Sequence, residues 1–364
     1  MRMLFIGPLP EPVTGQSLAC QIFLDELSKK YTVDVINLSK RDFSSGIDSL
    51  GRIGEVLAYI WQARRKSRMA DCIYFTISQS ISGNFKDILI YLACFDKLPR
   101  MAVHLHGGAG MRELFKPSNR ILRALNRFFF GRIGAVIVLG ARHVDIFEGI
   151  APVDRIHVVP NFAVDPLFVD EATICLKFDR VAPLRLLFLS NLISGKGYIE
   201  MVEAYKSLDS NTREQVQIDF AGGFQSQEKK NEFLSSIDGI SQLRYHGIVG
   251  GVRKLELFRD AHLFCLPTYY PYEGQPISIL EAYASGCAVM TTDHSGILDV
   301  FANGRNGYCV EKRSPDSIRQ AIERAVAEPA ALCRMALNNR AEADELYRTD
   351  RYNARLVHIV EQLK

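Results

Sequence analysis

The chain has 364 residues, of which 48% are hydrophobic and 23% charged, and its formal net charge is +3. This is the composition of an ordinary globular protein, and it excludes intrinsic disorder, a collagen-like repeat and a small disulfide scaffold. The small net charge argues against a strongly cationic nucleic-acid binder. The eight cysteines include no C-x-x-C pair, which removes support for a zinc ribbon or a thioredoxin-like redox site. No apolar run approaches the roughly 18 residues of a membrane span, so none is predicted.

The first half of the chain alternates short apolar runs with helical stretches. The opening run MLFIG is predicted to be a strand, followed by the turn-rich loop GPLPEPVTG and a helix from SLACQIFLDELSKK. The later strands are predicted in YTVDVINLS, CIYFTI, MAVHLHG, AVIVLG and HVVPN. This alternation predicts a parallel sheet with helices on both faces.

A second series of the same kind begins near residue 184, after a segment of weak periodicity (165–183) that is predicted to be the linker. Its strands are predicted in LRLLFLSN, QIDFAGG, RYHGIV, HLFCLPT and CAVMTTD. Its helices are predicted in YIEMVEAYKSL, RKLELFRDA, ISILEAYASG and PDSIRQAIERAVAE, with a last helical stretch from about residue 330 to the C-terminus.

We therefore predict an α/β protein built from two Rossmann-like, doubly wound parallel-sheet domains that face a cleft. The first domain is predicted at 1–170 and the second at 171–345, with a C-terminal helix at 346–364 that packs back on the first. Ligands of such sheets bind at the carboxyl ends of the strands.

Charge is distributed unevenly between the two halves. Residues 1–170 hold 21 Lys and Arg against 16 Asp and Glu, whereas the remainder holds 23 against 25. The basic residues concentrate at 64–68 and in RILRALNRFFFGR (120–132), where Arg120, Arg123 and Arg127 share one side of a predicted helix. Two interpretations stay open: a basic amphipathic helix on an anionic membrane surface, or a core helix with a solvated basic face.

Two glutamates, Glu273 and Glu281, lie eight residues apart across a predicted loop-to-helix junction. A helix N-terminus offers free N–H groups to an anion or a sugar, and a neighbouring carboxylate can accept hydrogen bonds from a pair of ribose hydroxyls. The alternative is a surface glutamate followed by an ordinary helical one. Gly15 and Gln16 follow the first strand in a turn that also admits a phosphate or sugar at a helix N-terminus, although they form no dinucleotide-binding fingerprint.

The block PTYYPYEGQPISILEAYASGCAV resembles the E-x7-E region of the family-4 retaining glycosyltransferases of GT-B fold. The resemblance extends along nearly the whole chain, in the same order as the family's motifs. It is carried by GPLPEPVTGQS, HLHGG, VVPNFAVD, LSNLISGKG and YHGIV, which resemble the glycine-rich loop, the His-Gly element, the segment before the linker, the diphosphate loop and the strand facing the base.

The resemblance implies a set of site residues. His106, Lys196 and Glu273 are expected to be catalytic. The donor is expected to contact Gly15, Gln16, Asn191, Lys196, Ile248, Glu273, Gly274, Gln275 and Glu281. No metal or other cofactor is expected, because in this family a lysine and helix N-termini neutralise the diphosphate. Most relatives have an arginine where this chain has Asn191, and Arg253 is one candidate to compensate for it.

His104 and His106 lie near the end of one predicted strand and are expected to point to opposite faces, so that only one reaches the cleft. By resemblance His106, beside Gly107, occupies the family's position near the donor sugar and the acceptor hydroxyl. His104 is expected to be structural, and a structural role for His106 also stays open.

The resulting hypothesis is a retaining glycosyltransferase that moves a hexose or N-acetylhexosamine from a nucleotide-diphosphate sugar, with a UDP-sugar favoured. Its acceptor is expected to be a glycan, lipid-linked, in bacterial surface polysaccharide assembly such as O-antigen, capsule or lipopolysaccharide. We expect a cytoplasmic protein, peripheral on an anionic membrane surface at the inner face of the plasma membrane, with no nucleic-acid partner. The alternatives are an epimerase or phosphorylase of the same fold and a non-catalytic nucleotide-sugar-binding module.

Overall fold

The computed structural model describes residues 1–39 and 50–364. The chain divides into two compact units: the first comprises Met1–Asn161 and Asp350–Lys364, and the second comprises Phe162–Thr349. The chain therefore leaves the first unit before the predicted boundary at residue 170, and its last residues belong to the first unit again.

The first unit contains, in its described part, a six-stranded sheet in the order β2-β1-β3-β4-β5-β6, with every neighbouring pair parallel. The strands are β1 (Arg2–Gly7), β2 (Thr32–Asn37), β3 (Cys72–Thr76), β4 (Met101–Leu105), β5 (Ala135–Val138) and β6 (Ile156–Val158). Strands β3, β4 and β5 are buried throughout, as expected of apolar runs covered on both faces. The strand order reverses between β1 and β3, and at such a point the loops after the strands open a site.

Helices connect these strands and cover the sheet. They are α1 (Gly15–Lys30), α2 (Leu50–Ser67), α3 (Ile81–Ala93), α4 (Ala109–Leu114) and α5 (Arg120–Phe130). The connections through α2, α3 and α5 run in the same direction along the sheet, and right-handed crossovers place such helices on one side. In agreement with this, α3 packs against both α2 and α5.

The second unit has the same construction. Within the residues that the structure describes, its six parallel strands follow the order β12-β11-β10-β7-β8-β9. They are β7 (Leu184–Leu189), β8 (Val216–Ala221), β9 (Leu243–Tyr245), β10 (Leu263–Leu266), β11 (Ala288–Thr291) and β12 (Gly307–Cys309). The order reverses between β7 and β10, so the loops after these two strands meet at one edge of the sheet.

The helices of the second half are α6 (Glu171–Phe178), α7 (Tyr198–Lys206), α8 (Ser210–Glu214), α9 (Gln227–Ile237), α10 (Gly251–Asp260), α11 (Ile277–Ala284), α12 (Pro315–Ala327), α13 (Pro329–Leu346) and α14 (Thr349–Glu361). Helix α6 lies inside the segment predicted to be a linker, and the predicted last helical stretch is divided into α13 and α14. The two sheets with flanking helices confirm the predicted α/β class. None of the helices in the described ranges is both long and apolar enough to cross a bilayer.

Candidate active site

Lys196 and Glu273 form a buried ion pair in the second unit. Lys196 lies in the loop after β7 and Glu273 in the loop after β10, so both come from the point where the strand order reverses. The Lys196 Nζ atom lies 2.6 Å from Glu273 Oε2, and only 12% and 10% of the two side chains are exposed. A cation with so little access to water needs an anion close by, and Glu273 supplies it.

Neighbouring groups hold this pair in place. The Thr268 hydroxyl lies 3.0 Å from Glu273 Oε2 and 3.2 Å from the Gly195 carbonyl oxygen. The ring centroid of Tyr270 lies 5.0 Å from Lys196 Nζ, within range of a cation–π contact. The carboxylate and the ammonium group are therefore fixed by several partners at once.

Two glycines make this approach of the loops possible. Gly195 and Gly197 have φ angles of +90° and +87°, which side chains rarely tolerate. A Cβ atom at Gly197 would lie 2.4 Å from the Pro267 carbonyl oxygen, and one at Gly195 would lie 3.1 Å from Tyr270 Cα. The glycines thus let the loop after β7 pack on the segment after β10, which is how Lys196 reaches Glu273.

The residues between the two glutamates lead into helix α11. The Ser295 hydroxyl donates to the Glu273 carbonyl oxygen at 2.7 Å, and the Gly296 N–H donates to that of Gly274 at 3.2 Å. Gln275 is buried, and Pro276 is the N-cap residue of α11. Pro276 makes no side-chain hydrogen bond to this helix start, and the first N–H groups of α11 are of the kind that suits an anion or a hydroxyl.

Glu281 forms a second buried ion pair, with a lysine that the sequence analysis did not identify. Lys254 Nζ lies 2.6 Å from Glu281 Oε1, and the exposed fractions of the two side chains are 21% and 2%. Lys254 belongs to α10, the helix that follows β9. No local pattern in the sequence indicates the pairing, because it depends on the packing of α10 beside α11.

Arg253, the residue next to Lys254, has other partners. Its guanidinium contacts Glu256 Oε2 at 2.9 Å and His246 Nδ1 at 3.2 Å. Asn191 follows β7 and is half-buried, and its backbone carbonyl oxygen accepts a hydrogen bond from the Ile193 N–H at 3.0 Å. The structure thus gives no support to Arg253 as the substitute for the arginine that this chain lacks at Asn191, whereas Lys254 contacts a predicted donor-binding residue.

The loop before α10 carries Ile248, which is 84% exposed and lies beside Gly223. The base of this loop is held by His246, whose Nε2 atom lies 2.6 Å from Asp219 Oδ1. Burial alone would raise the pKa of Asp219, but hydrogen bonds from His246 and Gln217 lower it below its usual value. The ionised Asp219 therefore anchors the loop, and Ile248 is free to contact a flat apolar group such as a base.

In the first unit, α1 begins at Gly15 with Thr14 as its N-cap residue. The Ser17 N–H donates to Thr14 Oγ1 at 3.1 Å, and the Thr14 N–H donates to Ser17 Oγ at 2.8 Å, which makes a capping box. Gly15 is exposed and Gln16 half-buried. This helix start is thus partly satisfied by its own side chains, and the sequence analysis missed the capping box.

His104 and His106 do not point to opposite faces. Their ring centroids lie 3.9 Å apart, and His104 Nδ1 is 2.6 Å from the Tyr74 hydroxyl. The expectation was wrong because residues two apart in a strand share a face. Burial lowers the pKa of His106 to about 3, so its imidazole is neutral near pH 7. In the described residues neither Nε2 atom has a hydrogen-bond partner, although both are buried.

The predicted residues therefore fall into separate groups. Lys196 and Glu273 come together, Glu281 pairs with Lys254, and Gly274 and Gln275 connect the two glutamates along the chain. His106, Gly15 and Gln16 belong to the first unit. Within the described ranges, no cluster of three or more His, Cys, Asp or Glu side chains could hold a metal ion.

Comparison with known families finds a match for most of the second unit. Residues 180–343 match the model of the family described as glycosyl transferases group 1. Over 143 residues the chain is 23% identical to an uncharacterized glycosyltransferase of Methanocaldococcus jannaschii, which covers 39% of this chain and 36% of that one. Over 158 residues it is 23% identical to the N,N'-diacetylbacillosaminyl-diphospho-undecaprenol alpha-1,3-N-acetylgalactosaminyltransferase of Campylobacter jejuni, covering 43% and 39%. These matches span well under half the length of either relative.

Solved structures match the chain over its full length. The Anabaena protein Alr3699/HepE, crystallised with UDP-glucose, superposes with a TM-score of 0.73 at 16% identity and covers 100% of both chains. WaaG, a glycosyltransferase involved in lipopolysaccharide biosynthesis, gives 0.71 at 16% identity and covers 99% of this chain and 98% of its own. At this identity the likeness establishes the fold, which is the GT-B fold.

Proposed function

We propose that this chain, whose residues 180–343 match the model of the group 1 glycosyltransferases, is a retaining glycosyltransferase. It moves a hexose or N-acetylhexosamine from a nucleotide-diphosphate sugar, most readily a UDP-sugar, to a hydroxyl of a glycan acceptor. The acceptor is carried on a lipid, in the assembly of a bacterial surface polysaccharide such as O-antigen, capsule or lipopolysaccharide.

The observation that carries this proposal is the buried Lys196–Glu273 pair at the point of strand reversal. Breaking the bond between sugar and phosphate builds negative charge on the leaving oxygen, and a preorganised cation in a dry site stabilises that charge. A bound diphosphate would become the new partner of Lys196 and release Glu273 toward the sugar. The first N–H groups of α11 would bind the sugar hydroxyls or the phosphate.

Retention of configuration is proposed to follow from attack on the same face that the leaving group departs from. The leaving phosphate then accepts the proton of the acceptor hydroxyl, and Glu273 supports the donor sugar instead of attacking it. His106 of the first unit is neutral because burial lowers its pKa to about 3, so its proposed role is that of a neutral hydrogen-bonding group. Glu281, held by Lys254, accepts hydrogen bonds from the ribose hydroxyls.

The choice of donor and acceptor rests on the relatives. The Anabaena structures contain UDP, UDP with glucose, or UDP-glucose. The name of the Campylobacter relative describes an acceptor on diphospho-undecaprenol, and that of WaaG places it in lipopolysaccharide biosynthesis. A lipid-carried acceptor would locate this chain at the inner face of the plasma membrane, where cytoplasmic nucleotide sugars are also available.

The proposal is tested first by donor binding and then by transfer. Among UDP-, GDP-, ADP- and TDP-sugars, one nucleotide class should raise the melting temperature, because a ligand that binds only the folded chain stabilises it. With that donor and a lipid-linked glycan, NMR of the product should show the anomeric configuration of the donor. An inverted product would overturn the retaining mechanism. Epimerisation or phosphorolysis of the donor without acceptor would favour an epimerase or a phosphorylase, and donor binding without turnover on any acceptor would favour a binding module.

A further inference from the structure

Three neighbouring helices of the first unit each expose a row of large apolar side chains. The exposed rows are Ile53, Leu57 and Trp61 on α2, Ile81, Phe85, Leu89 and Leu92 on α3, and Ile121, Leu125 and Phe128 on α5. Within each row the residues are three or four apart, which puts them on one side of their helix. Single exposed apolar residues are common in proteins, whereas aligned rows on adjacent helices mark an interaction site.

The three rows lie on one surface, which we call the α2–α3–α5 face. Helix α3 packs against both α2 and α5 on the same side of the sheet. Beyond the end of α3, the ring of Phe95 stacks on that of Phe128 of α5 with centroids 6.1 Å apart. At the end of α2, the Arg64 guanidinium is bound to Asp96 at 2.6 Å, which joins α2 to the segment after α3. The face is therefore continuous across its helices.

Arginines surround the apolar rows. The Arg65 guanidinium lies 5.4 Å from the Trp61 ring centroid, and that of Arg132 lies 3.9 Å from the Phe128 ring centroid. Arg120 and Arg127 are exposed on α5, whose sequence contains no acidic residue. Across the described part of the chain, no carboxylate forms an ion pair with any of these four arginines. The exposed side of α5 thus combines apolar and basic groups, which is more than a solvated basic face.

We propose that the α2–α3–α5 face docks on an anionic lipid bilayer. Its apolar rows enter the boundary between headgroups and acyl chains, and its arginines bind the lipid phosphates, as in interfacial amphipathic helices. A second copy of the chain fits the face less well, because a self-complementary contact would bring two sets of unpaired arginines together. The inference rests on the proposed function for its purpose, since an enzyme with a lipid-carried acceptor works at this boundary.

The chain contains one tryptophan, Trp61, and it lies in this face with 61% of its surface exposed. Its emission therefore reports on the face alone. Moving the indole from water into the interface should shift the emission to shorter wavelength. The full-length protein can be titrated with phosphatidylcholine vesicles and with equimolar phosphatidylcholine and phosphatidylglycerol vesicles, and binding can be confirmed by co-sedimentation.

We expect a blue shift and co-sedimentation with the anionic vesicles, both weakened by salt. Ile121→Glu combined with Phe128→Glu should reduce the partition coefficient at least about tenfold, because it places charges in the apolar part of the face. Arg120→Gln and Arg127→Gln should each reduce binding to the anionic vesicles by about fivefold, with little change on phosphatidylcholine alone.

Matched controls lie in the second unit, where Leu176→Glu on α6 removes an exposed apolar side chain and Arg180→Gln, just after this helix, removes an exposed basic one. These variants should bind vesicles as the wild type does. Failure of the wild type to bind anionic vesicles would overturn the inference, as would equal losses in the controls. A blue shift that depends on protein concentration without lipid, with dimers in sedimentation velocity, would assign the face to a second copy instead. The melting temperature without ligand reports folding, and its shift with a nucleotide sugar reports donor binding. A chain that binds the donor but not the vesicles would contradict this inference alone, and a chain that binds the vesicles but no donor would contradict the proposed function alone.

Discussion

At the scale of single residues, Lys196 offers the most direct test of the proposed chemistry. It is the cation nearest Glu273, and its loop has no other lysine or arginine. Replacing it with methionine keeps the length of the side chain and removes the charge that would stabilise the leaving diphosphate. We expect kcat to fall by about 10² or more, as for the loss of one preorganised group at a developing charge. Steady-state transfer assays measure this.

The matched control is Lys230→Met, which removes a half-buried lysine of α9 in the same unit. Its kcat should remain close to that of the wild type. If Lys196→Met raised only the donor KM and left kcat unchanged, Lys196 would bind the ground state and the transition state equally, and its catalytic role would be wrong.

Glu281 and Lys254 give a prediction of a different kind, because they are proposed to act on the ribose. Glu281→Gln should raise the donor KM by about tenfold or more, which is the loss expected for a hydrogen bond to a charged group. Lys254→Met should have a smaller effect in the same direction, since it leaves the carboxylate in place but without its partner. Donors with 2′-deoxyribose separate a direct contact from a structural effect. With them, the difference between wild type and variant should become smaller, because one of the two hydroxyls that Glu281 is proposed to bind is absent. A KM increase that is equally large with the deoxy donor would contradict contact with the 2′-hydroxyl.

The residue scale is also where the sequence was least informative. Glu273 and Lys196 were named through the resemblance to family motifs, which are local patterns in the sequence, and the structure brings the two side chains together. Lys254 could not, because its partner lies on another helix and its own helix has an ordinary charged sequence. The arrangement of His104 and His106 was predictable from the two-residue period of a strand and was misassigned. Only the stacking of their rings depends on the tertiary structure.

At the scale of elements, Lys177 joins three helices of the second unit. From α6 its Nζ atom donates at 2.9 Å to the carbonyl oxygen of Ala261, which ends α10, and at 2.9 Å to that of Ser285, which ends α11. A cation at two helix ends satisfies carbonyl groups that have no partner within their helices. Burial lowers the pKa of Lys177, which shows that removing the ammonium group from water costs free energy. Part of the stabilisation from the two hydrogen bonds therefore offsets this cost.

We therefore expect Lys177→Met to lower the free energy of unfolding of the second unit by about 2–4 kcal/mol, as each buried carbonyl left without a partner costs about 1–3 kcal/mol. Urea unfolding followed by circular dichroism would measure it. Lys206→Met on α7 removes an exposed lysine, and its effect should stay within about 0.5 kcal/mol. An equal stability of the two variants would show that the two carbonyl groups find other partners.

The elements themselves were predicted where the pattern was long enough to be read. Strands such as β3 and β5 are continuous apolar runs, and they lie where the sequence indicated. Helix α6 was missed because eight residues give too few apolar positions for a helical period, although Asp170 caps it through the Thr173 N–H. Strand β12 has only three residues, one of them a glycine, and only its pairing with β11 defines it.

At the scale of the whole molecule, the sequence predicted two α/β halves but not the position of their junction. The segment 165–183 looked like a linker because its periodicity is weak. In the structure, Ile174 of this segment packs with Val169 and Ala336 in a small cluster of buried side chains, so the segment is an integral part of the second unit. The uneven charge found in the sequence is likewise local: its arginines border the apolar rows of the α2–α3–α5 face.

Both units should lose stability in mild acid, because each contains histidines that folding keeps neutral. Burial lowers the pKa of His262 and of His143 to about 4, and that of His106 to about 3. His262 also receives a hydrogen bond at Nδ1 from the Arg185 N–H at 3.0 Å, so protonation at that nitrogen would break the bond. Below about pH 6.5 the unfolded chain binds protons that the folded chain does not, so the free energy of unfolding falls with falling pH until the folded pKa is reached.

Each of these histidines should contribute a loss of about 1.4 kcal/mol per pH unit below 6.5, and none above it. Urea unfolding at pH 7.5, 6.0 and 5.0 should therefore show a small loss of stability between the first two pH values and a larger one between the last two. His262→Asn should reduce this fall for the second unit, whereas replacement of the exposed His358 by asparagine should leave it unchanged. A stability that rises between pH 6.5 and 5.0 would mean that these imidazoles bind protons in the folded chain, and the neutral His106 assigned to the proposed site would be wrong with them.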